Sequence, residues 1–272
     1  MEQLRIPVAD GLVLDALEDG PADGDVVLLL HGFPQTAWSW REVWPSLVEA
    51  GFRVVAPDQR GYSPDARPLG VEHYRMPSLV ADALAVLDAV GAERAHVVGH
   101  DWGAAVAWHL AGRHQERVRT LTAVSVPHPL AFVEALRTDE DQRQRSRYMK
   151  HWQDPRAEEQ LLAGGLERVF GDVPDVDVSR YVEHMRQPGA LTGALSWYRA
   201  QSLDDLEGLG PIPMPTLHVW SDQDVALGRF GAEATAAHVA GPYRLEVLEG
   251  ISHWIPEQAP EALSRLLLEH LR

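Results

Sequence analysis

The strongest chemical signal in the chain is a short turn in which an acidic residue stands between two glycines. Residues 99–103 have the sequence Gly-His-Asp-Trp-Gly, directly after the strand-like run 95–98 and before a helix that starts with small residues. In such a G-x-nucleophile-x-G turn the glycines relieve a tight strand-to-helix corner, and the central side chain projects from the sheet. The pattern predicts Asp101 as a nucleophile, although an Asp that only caps the next helix has the same local sequence.

A nucleophile on such a turn needs a general base, and the chain order is then nucleophile, acid, histidine. His253 follows the last strand-like run, and Asp222 and Asp224 follow the strand before it. These loops are expected at the same sheet edge as Asp101. The residues alone leave both Asp222 and Asp224 open as the carboxylate that orients His253.

A second loop is expected to stabilise negative charge next to the nucleophile. The fragment 31–34, His-Gly-Phe-Pro, follows the run 26–30, which is apolar at every position, as in a strand buried on both faces. Folds with this turn place one backbone N–H of an oxyanion hole in that loop and the other on the residue after the nucleophile. The expected donors are the amides of Phe33 and Trp102.

Aspartate in place of serine restricts the electrophile. A carboxylate that attacks a carbonyl gives a labile anhydride, whereas displacement at an sp3 carbon gives an ordinary alkyl ester that water can cleave. The substrate is therefore expected to carry a reactive sp3 carbon. In the second step His253, kept neutral and oriented by a carboxylate, would take a proton from the attacking water.

The composition is typical of one large globular domain. The 272 residues carry 24 Lys and Arg against 40 Asp and Glu, a net charge of −16, and no Cys. This acidic balance argues against nucleic-acid or anionic membrane partners. The start of the chain shows no secretion signal and no apolar run is long enough to span a bilayer, so we expect a soluble, cytoplasmic protein. No P-loop, dinucleotide fingerprint or H-E-x-x-H zinc site occurs, so we expect no cofactor and no metal.

Alternating strand-like and helical runs predict an α/β fold with a mostly parallel sheet flanked by helices. A hairpin is expected around Asp10-Gly11, a helix over 40–50, and a closing helix over 260–271 with its leucines on one face. Beyond residue 128 strand-like runs vanish for about 80 positions. We expect a first core part over residues 1–127, an inserted all-helical cap over 128–207, and a second core part with the acid and the histidine over 208–272.

The chain resembles an α/β-hydrolase of the epoxide hydrolase family. The resemblance is carried by HGFP at 31–34, GHDWG at 99–103, WSDQDVALG at 220–228 and GPYRLEVLEGISHW at 241–254, which together span almost the whole chain. In that family the acid is the second Asp of the W-x-D-x-D segment. The resemblance therefore implies the α/β-hydrolase fold with a helical cap, Asp224 as the acid of an Asp-His-Asp triad, and Asp222 as a structural neighbour.

The leaving group separates two enzyme classes that use such a nucleophile. An epoxide leaves as an alkoxide, which near neutral pH needs a proton or a strong hydrogen bond, and a Tyr hydroxyl can supply it. The similarity to epoxide hydrolases singles out Tyr148 in RYMKHWQDP and Tyr198 in LSWYR, whereas Tyr181 matches neither segment. Dehalogenases resemble the same outline, with Trp102 where a halide-binding Trp would sit. Many of them use an Asn as second halide donor, and this chain has no Asn.

Aromatic residues around the motifs predict an apolar binding pocket, although core aromatics have the same appearance in sequence. The residues expected to contact substrate are His31, Pro34, Trp38, Trp152, Trp197 and Trp254. We predict a cofactor-independent epoxide hydrolase that acts on a small apolar epoxide with water, as a monomer or a homodimer. The alternatives are a haloalkane dehalogenase-type hydrolase and a catalytically silent protein of the same fold that binds a small ligand.

Overall fold

Eight strands form one sheet in the computed structural model, which describes residues 1–171 and 178–272. They are β1 (Glu2–Pro7), β2 (Val13–Asp19), β3 (Val26–Leu30), β4 (Arg53–Pro57), β5 (Ala95–His100), β6 (Val118–Val124), β7 (Thr216–Ser221) and β8 (Tyr243–Leu248). Their order across the sheet is β1-β2-β4-β3-β5-β6-β7-β8. β2 pairs antiparallel with β1 and β4, and the later neighbours are parallel, which confirms the predicted sheet and its opening hairpin.

Helices connect the parallel strands, as right-handed crossovers between such strands require. In the part of the chain that the structure describes they are α1 (Trp44–Glu49), α2 (Met76–Ala89), α3 (Trp102–Arg113), α4 (Pro129–Thr138), α5 (Glu140–Arg145), α6 (Arg147–Trp152), α7 (Ala157–Gln160), α8 (Leu166–Val169), α9 (Val178–Met185), α10 (Ala190–Arg199), α11 (Arg229–Ala234), α12 (Ile255–Gln258) and α13 (Pro260–His270). None of these described helices is both long and apolar enough to cross a membrane.

The two faces of the sheet support separate apolar cores. Successive side chains of a strand point to opposite faces. In β3, Leu28 and Leu30 join the core that includes α2 and α3, whereas Val27 and Leu29 join the core that includes α1 and α13. The closing helix contributes its predicted leucine face to this second core, and all four side chains are buried: Leu263, Leu266, Leu267 and Leu271. The site is therefore held on a sheet that is covered on both sides.

The predicted helix over 40–50 is wrong in its first part. Residues Ala37–Trp40 form a short 3-10 turn, and α1 begins only at Trp44. Pro45 stands in the first helical turn, where its missing N–H costs nothing, so it marks the start of the helix. The preceding turn is held separately, because the Ala37 amide donates to Asp58 Oδ1 at 2.8 Å.

Helices α4 to α10 lie between β6 and β7, and α10 docks closely on the core. A Cβ added to Gly193 would lie 2.7 Å from the Gly61 Cα, so only glycine allows this approach of two backbones. Beside it, Trp197 Nε1 donates to the Arg60 carbonyl oxygen at 2.9 Å. The Arg60 guanidinium is itself held by Asp82 through two hydrogen bonds of 2.7 Å. These contacts fix one end of the helical segment relative to the sheet edge.

Candidate active site

Asp101 occupies the turn between β5 and α3 in a backbone conformation that side chains rarely adopt. Its φ is 51° and its ψ is −121°, a strain that typically costs about 1–3 kcal/mol and is found at functional sites. A Cβ on Gly99 would lie 2.2 Å from the Gly103 carbonyl oxygen, and one on Gly103 would lie 2.1 Å from the Leu30 carbonyl oxygen. The two glycines therefore permit the sharp turn that directs the Asp101 side chain away from the strand.

The structure brings three of the predicted residues into one line of contacts. His253 Nδ1 lies 2.8 Å from Asp224 Oδ2, and its Nε2 lies 3.5 Å from Asp101 Oδ2. Asp224 is fully buried, and its other oxygen accepts from the amides of Ala226 at 2.8 Å and Leu227 at 2.9 Å. Asp224 is therefore fixed by the loop that follows β7 and can orient the imidazole of His253.

Asp222, the other acid that the sequence offered, has a different partner. Its Oδ1 accepts from the Gly250 amide at 2.7 Å, which joins the loops after β7 and β8. Asp222 is only half-buried and does not hydrogen-bond to His253. The geometry thus favours Asp224 as the partner of the histidine.

Burial and opposite charge act against each other in this group. Burial disfavours the imidazolium of His253, but Asp224 and Asp101 outweigh it and raise the pKa of His253 to about 10. Burial alone would raise the pKa of Asp101, yet the contacts with His253 and the Phe33 amide lower it. The resting site therefore holds an ionised Asp101 beside a protonated His253. The neutral histidine that the sequence analysis expects belongs to the second step, when Asp101 no longer carries its charge, and it stays a prediction.

One of the two predicted oxyanion donors contacts the Asp101 carboxylate directly. The Phe33 amide donates to Asp101 Oδ1 at 2.7 Å. The hydrogen bonds of the described residues do not pair that carboxylate with the Trp102 amide, which lies at the first turn of α3. Oδ1 is thus held by a backbone donor, while Oδ2 faces the histidine.

Both predicted tyrosines line the same cavity as Asp101, with a volume of about 300 Å³. Tyr148 on α6 and Tyr198 on α10 line it together with Asp101 and Trp102, and their ring centroids are 6.3 Å apart. Burial and the Asp101 charge raise the pKa of both hydroxyls well above the usual value. Both hydroxyls therefore keep their protons at neutral pH and can act as hydrogen-bond donors.

The six side chains predicted to bind substrate do not belong to the lining of this cavity: His31, Pro34, Trp38, Trp152, Trp197 and Trp254. His31 is fully buried; its Nδ1 donates to the Gly32 carbonyl at 3.0 Å and its Nε2 accepts from the Gln59 amide at 3.1 Å. Trp197 is fully buried against Arg60 and Trp102. Each of these two side chains thus supports the wall from behind.

The remaining tryptophans lie one layer outside the cavity or farther away. Trp152 packs against Phe33, with ring centroids 4.8 Å apart, and against both cavity tyrosines. Trp254 packs on Phe170, and Trp38 lies under the Arg180 guanidinium at 4.0 Å. A substrate-binding role for these residues and for Pro34 stays a prediction.

A buried polar network behind His253 escaped the sequence analysis. Tyr181 donates to Glu257 Oε1 at 2.9 Å, and the Gln35 amide contacts the same oxygen. The other end of Gln35 lies 3.0 Å from His100 Nδ1, and His100 Nε2 lies 2.9 Å from the His253 carbonyl oxygen. Gln35, His100 and Glu257 lie close in sequence to the motifs around Phe33, Asp101 and His253, but no pattern of residue types predicts that they form these hydrogen bonds.

Burial shifts the pKa values of two groups in this network. Burial lowers the pKa of His100 to about 4, so its ring is neutral and carries a single N–H. Gln35 lies between the two groups: its Nε2 donates to Glu257 Oε1, and its Oε1 lies 3.0 Å from His100 Nδ1. Burial raises the pKa of Glu257 to about 7, although the hydrogen bonds from Tyr181 and Gln35 act in the opposite direction.

No group of three or more His, Asp or Glu side chains within residues 1–171 and 178–272 is arranged to hold a metal ion. The groups gathered at the site are a buried carboxylate, a histidine paired with a second carboxylate, a backbone donor and two phenols. Such a set can form an ester at an sp3 carbon and hydrolyse it.

Comparisons with known proteins agree with this geometry. A family profile described as alpha/beta hydrolase fold matches residues 25–260. The AB hydrolase superfamily protein YfhM of Bacillus subtilis is 37% identical over 97% of this chain and 96% of its own length. Epoxide hydrolase A of Mycobacterium tuberculosis is 33% identical over 98% of this chain and 96% of its own length.

Solved structures give the same result. A structure described among novel epoxide hydrolases in metagenomes from hot environments has a TM-score of 0.91 at 29% identity and covers 100% of this chain and 99% of its own. Epoxide hydrolase A of Mycobacterium thermoresistibile has a TM-score of 0.86 at 29% identity and covers 100% of this chain and 98% of its own. The likeness extends over both the sheet and the helical segment.

Proposed function

The chain belongs to the α/β hydrolase fold family and, within it, to the epoxide hydrolases, and from this premise we propose that it hydrolyses an epoxide to a vicinal diol through an ester of Asp101. One arrangement carries the proposal. The buried Asp101 carboxylate has one oxygen on the Phe33 amide and the other 3.5 Å from His253, while two protonated tyrosines line the same cavity. No cofactor is needed for this chemistry, and water is the second substrate.

In the first step Asp101 Oδ2 attacks a ring carbon of the epoxide. The new bond joins that oxygen to carbon, and the carbon–oxygen bond of the ring breaks. The electron pair moves to the epoxide oxygen. Oδ1 becomes the carbonyl oxygen of the ester and keeps its hydrogen bond of 2.7 Å from Phe33.

The tyrosines act on the leaving oxygen. Tyr148 and Tyr198 hold their protons at neutral pH, so both can donate to the epoxide oxygen and one can protonate the alkoxide as the ring opens. The apolar surroundings strengthen these hydrogen bonds, because water does not compete there. This supports an epoxide rather than a halide, since a halide leaves without a proton.

In the second step water cleaves the ester. Esterification removes the Asp101 charge, so one of the two carboxylates that hold the His253 proton is lost and the pKa of His253 falls towards its ordinary range. The proton that His253 releases restores the tyrosine hydroxyl through solvent, and the neutral ring, still oriented by Asp224, can take a proton from water. The hydroxide attacks the ester carbonyl, and the charge on Oδ1 is stabilised by the Phe33 amide and, as we propose, by the Trp102 amide. The bond between the carbonyl carbon and the substrate oxygen then breaks, His253 gives its proton to the leaving oxygen of the diol, and the acid proton of Asp101 returns to His253.

We propose that the helical segment over residues 128–207 acts as the cap of a core formed by 1–127 and 208–272. Tyr148 and Tyr198 come from this segment, whereas the nucleophile and the histidine come from the core. Closing the cavity from both sides excludes bulk water from the ester, apart from the molecule that His253 activates.

Product analysis with a simple aryl or alkyl epoxide tests the proposal. Diol formation by the wild-type protein that is lost in Asp101→Ala supports it. Halide release from alkyl halides without epoxide turnover would indicate the dehalogenase alternative. Ligand binding without turnover of either substrate class would indicate a catalytically silent protein.

A further inference from the structure

His109 on α3 is a buried histidine with no hydrogen-bond partner. Its side chain is 3% exposed and lines the cavity that also contains Asp101. The described residues make no hydrogen bond to either ring nitrogen; Nδ1 is shut off from the cavity, whereas Nε2 is not. Buried polar side chains are nearly always hydrogen-bonded, so an exception in a binding cavity needs an explanation.

The position of His109 sets it apart from the reacting centre. Trp102, Ala105 and His109 follow the i, i+3, i+7 spacing of one helix face, and all three line the cavity. Seven residues of α-helix span about 10 Å along the axis. His109 therefore marks the end of the cavity that lies farthest along α3 from Asp101.

Other polar side chains at this end already have partners. Asp205 accepts two hydrogen bonds from Arg75, at 2.8 Å and 3.1 Å. Gln201 donates to the Trp197 carbonyl oxygen at 3.1 Å, and Ser202 Oγ accepts from a neighbouring amide. His109 Nε2 has no partner among the described residues, so a bound molecule can supply one.

The ring of His109 is uncharged. Burial and the nearby Arg113 guanidinium lower the pKa of His109 to about 4, although Asp205 acts in the opposite direction. A neutral imidazole carries its N–H on one nitrogen, so Nε2 either donates or accepts according to the tautomer. A hydroxyl can pair with Nε2 in both cases, whereas a charged carboxylate would be costly to bury beside Asp205.

We propose that the cavity takes epoxides on an apolar chain whose far end carries a neutral hydroxyl-type group, and that this group binds His109. The inference rests on the proposed epoxide hydrolysis and adds the identity of the distal substituent. The wall of the same cavity also contains the apolar side chains of Phe132, Val133 and Leu136. The polar ends and the apolar wall together define a substrate of matched length.

The test compares medium-chain terminal epoxides with their ω-hydroxy counterparts, one pair per chain length, by kcat/KM. The wild-type protein should prefer the hydroxylated member by about tenfold at one chain length, because the distance between Asp101 and His109 is fixed and one hydrogen bond is gained. His109→Leu should remove this preference and lower KM for the plain epoxide, since an unpaired imidazole is replaced by an apolar side chain. His109→Gln, which keeps a donor and an acceptor, should restore part of the preference.

Leu206→Met is the matched control, because Leu206 lines the same end of the cavity and the exchange conserves volume and polarity. Leu206→Met should leave unchanged the ratio of kcat/KM for the hydroxylated epoxide to kcat/KM for the plain epoxide. Equal ratios in the wild-type protein and His109→Leu, or no preference at any chain length, would overturn the proposal. Melting temperatures of all variants separate misfolding from a change in specificity.

A binding measurement keeps the two proposals distinguishable. Calorimetry with an alkyl amide and its ω-hydroxy analogue reports the distal contact without turnover. If no epoxide is hydrolysed but the hydroxylated amide binds more tightly in a His109-dependent way, the proposed function fails and the distal site stands. Equal affinities for the two amides would refute the distal site whether or not epoxides are hydrolysed.

Discussion

Replacing Asp224 with Asn should stop the second chemical step while leaving the first intact. Asp224 Oδ1 accepts two backbone hydrogen bonds, from Ala226 and Leu227, so the amide oxygen of Asn takes that place and the amide NH₂ faces His253 Nδ1. His253 must then accept at Nδ1 and carry its proton at Nε2, towards Asp101. A ring with that tautomer cannot take a proton from water.

The size of the effect follows from the loss of the base. In a Ser-His-Asp triad the same exchange lowers turnover by roughly 10⁴-fold through the wrong tautomer. We expect ester hydrolysis to slow by about 10³- to 10⁴-fold, equivalent to about 4–6 kcal/mol at about 1.4 kcal/mol per factor of ten. Attack by Asp101 does not use the base, so the ester should form and accumulate.

Rapid mixing with an excess of epoxide, followed by intact mass measurement, detects the accumulated ester. Nearly all Asp224→Asn molecules should gain the mass of one substrate, whereas the wild-type protein shows little adduct. Asp222→Asn is the matched control, because Asp222 lies two positions away and its side chain accepts from the Gly250 amide rather than pairing with His253. Loss of turnover in Asp224→Asn without any adduct, or full turnover in that variant, would refute the assigned role.

Three further predictions concern the leaving group, the buried network and the docking of the helical segment. Tyr148→Phe and Tyr198→Phe should each slow ester formation by about 10- to 100-fold, measured in single turnovers, because each removes one donor to the epoxide oxygen. Folding raises the pKa of Glu257 from 4.5 to about 7, so the free energy of unfolding of the wild-type protein falls as the pH rises between these values. In urea unfolding, Glu257→Gln should therefore be more stable than the wild-type protein by about 1–3 kcal/mol near pH 8.5 and equally stable near pH 4. Gly193→Ala should lower stability by about 1–3 kcal/mol in thermal unfolding, because its Cβ would lie 2.7 Å from the Gly61 Cα.

Much of the fold was predictable because its signals are local. The all-apolar run of β3 is typical of a strand covered on both faces, and the leucines of α13 follow a helical period. The turn at Asp101 was predictable because glycine alone fits the close approaches on either side of it. The sequence analysis began α1 too early. An apolar pattern indicates which face of a helix is buried but not its first residue, which here lies next to Pro45 in the first turn.

The pocket was less predictable than the reacting centre. The nucleophile, acid and histidine each follow a strand end, and topology alone brings such ends together. Which aromatic side chains line the cavity depends on how α6 and α10 pack against the core. Trp197 hydrogen-bonds to Arg60 and packs behind Trp102, so its ring lies outside the cavity lining. His109 and Glu257 gave no signal, since a single buried polar residue on an apolar helix resembles any surface position in sequence.

A single turnover in water enriched in heavy oxygen tests the central claim most directly. With enzyme in excess over epoxide, we predict that the label enters the carboxylate of Asp101, found by mass spectrometry of its peptide, and that the diol released in this first turnover is unlabelled. Label found in the diol, with none in the Asp101 peptide, would mean that water attacks the epoxide itself and would contradict the ester intermediate.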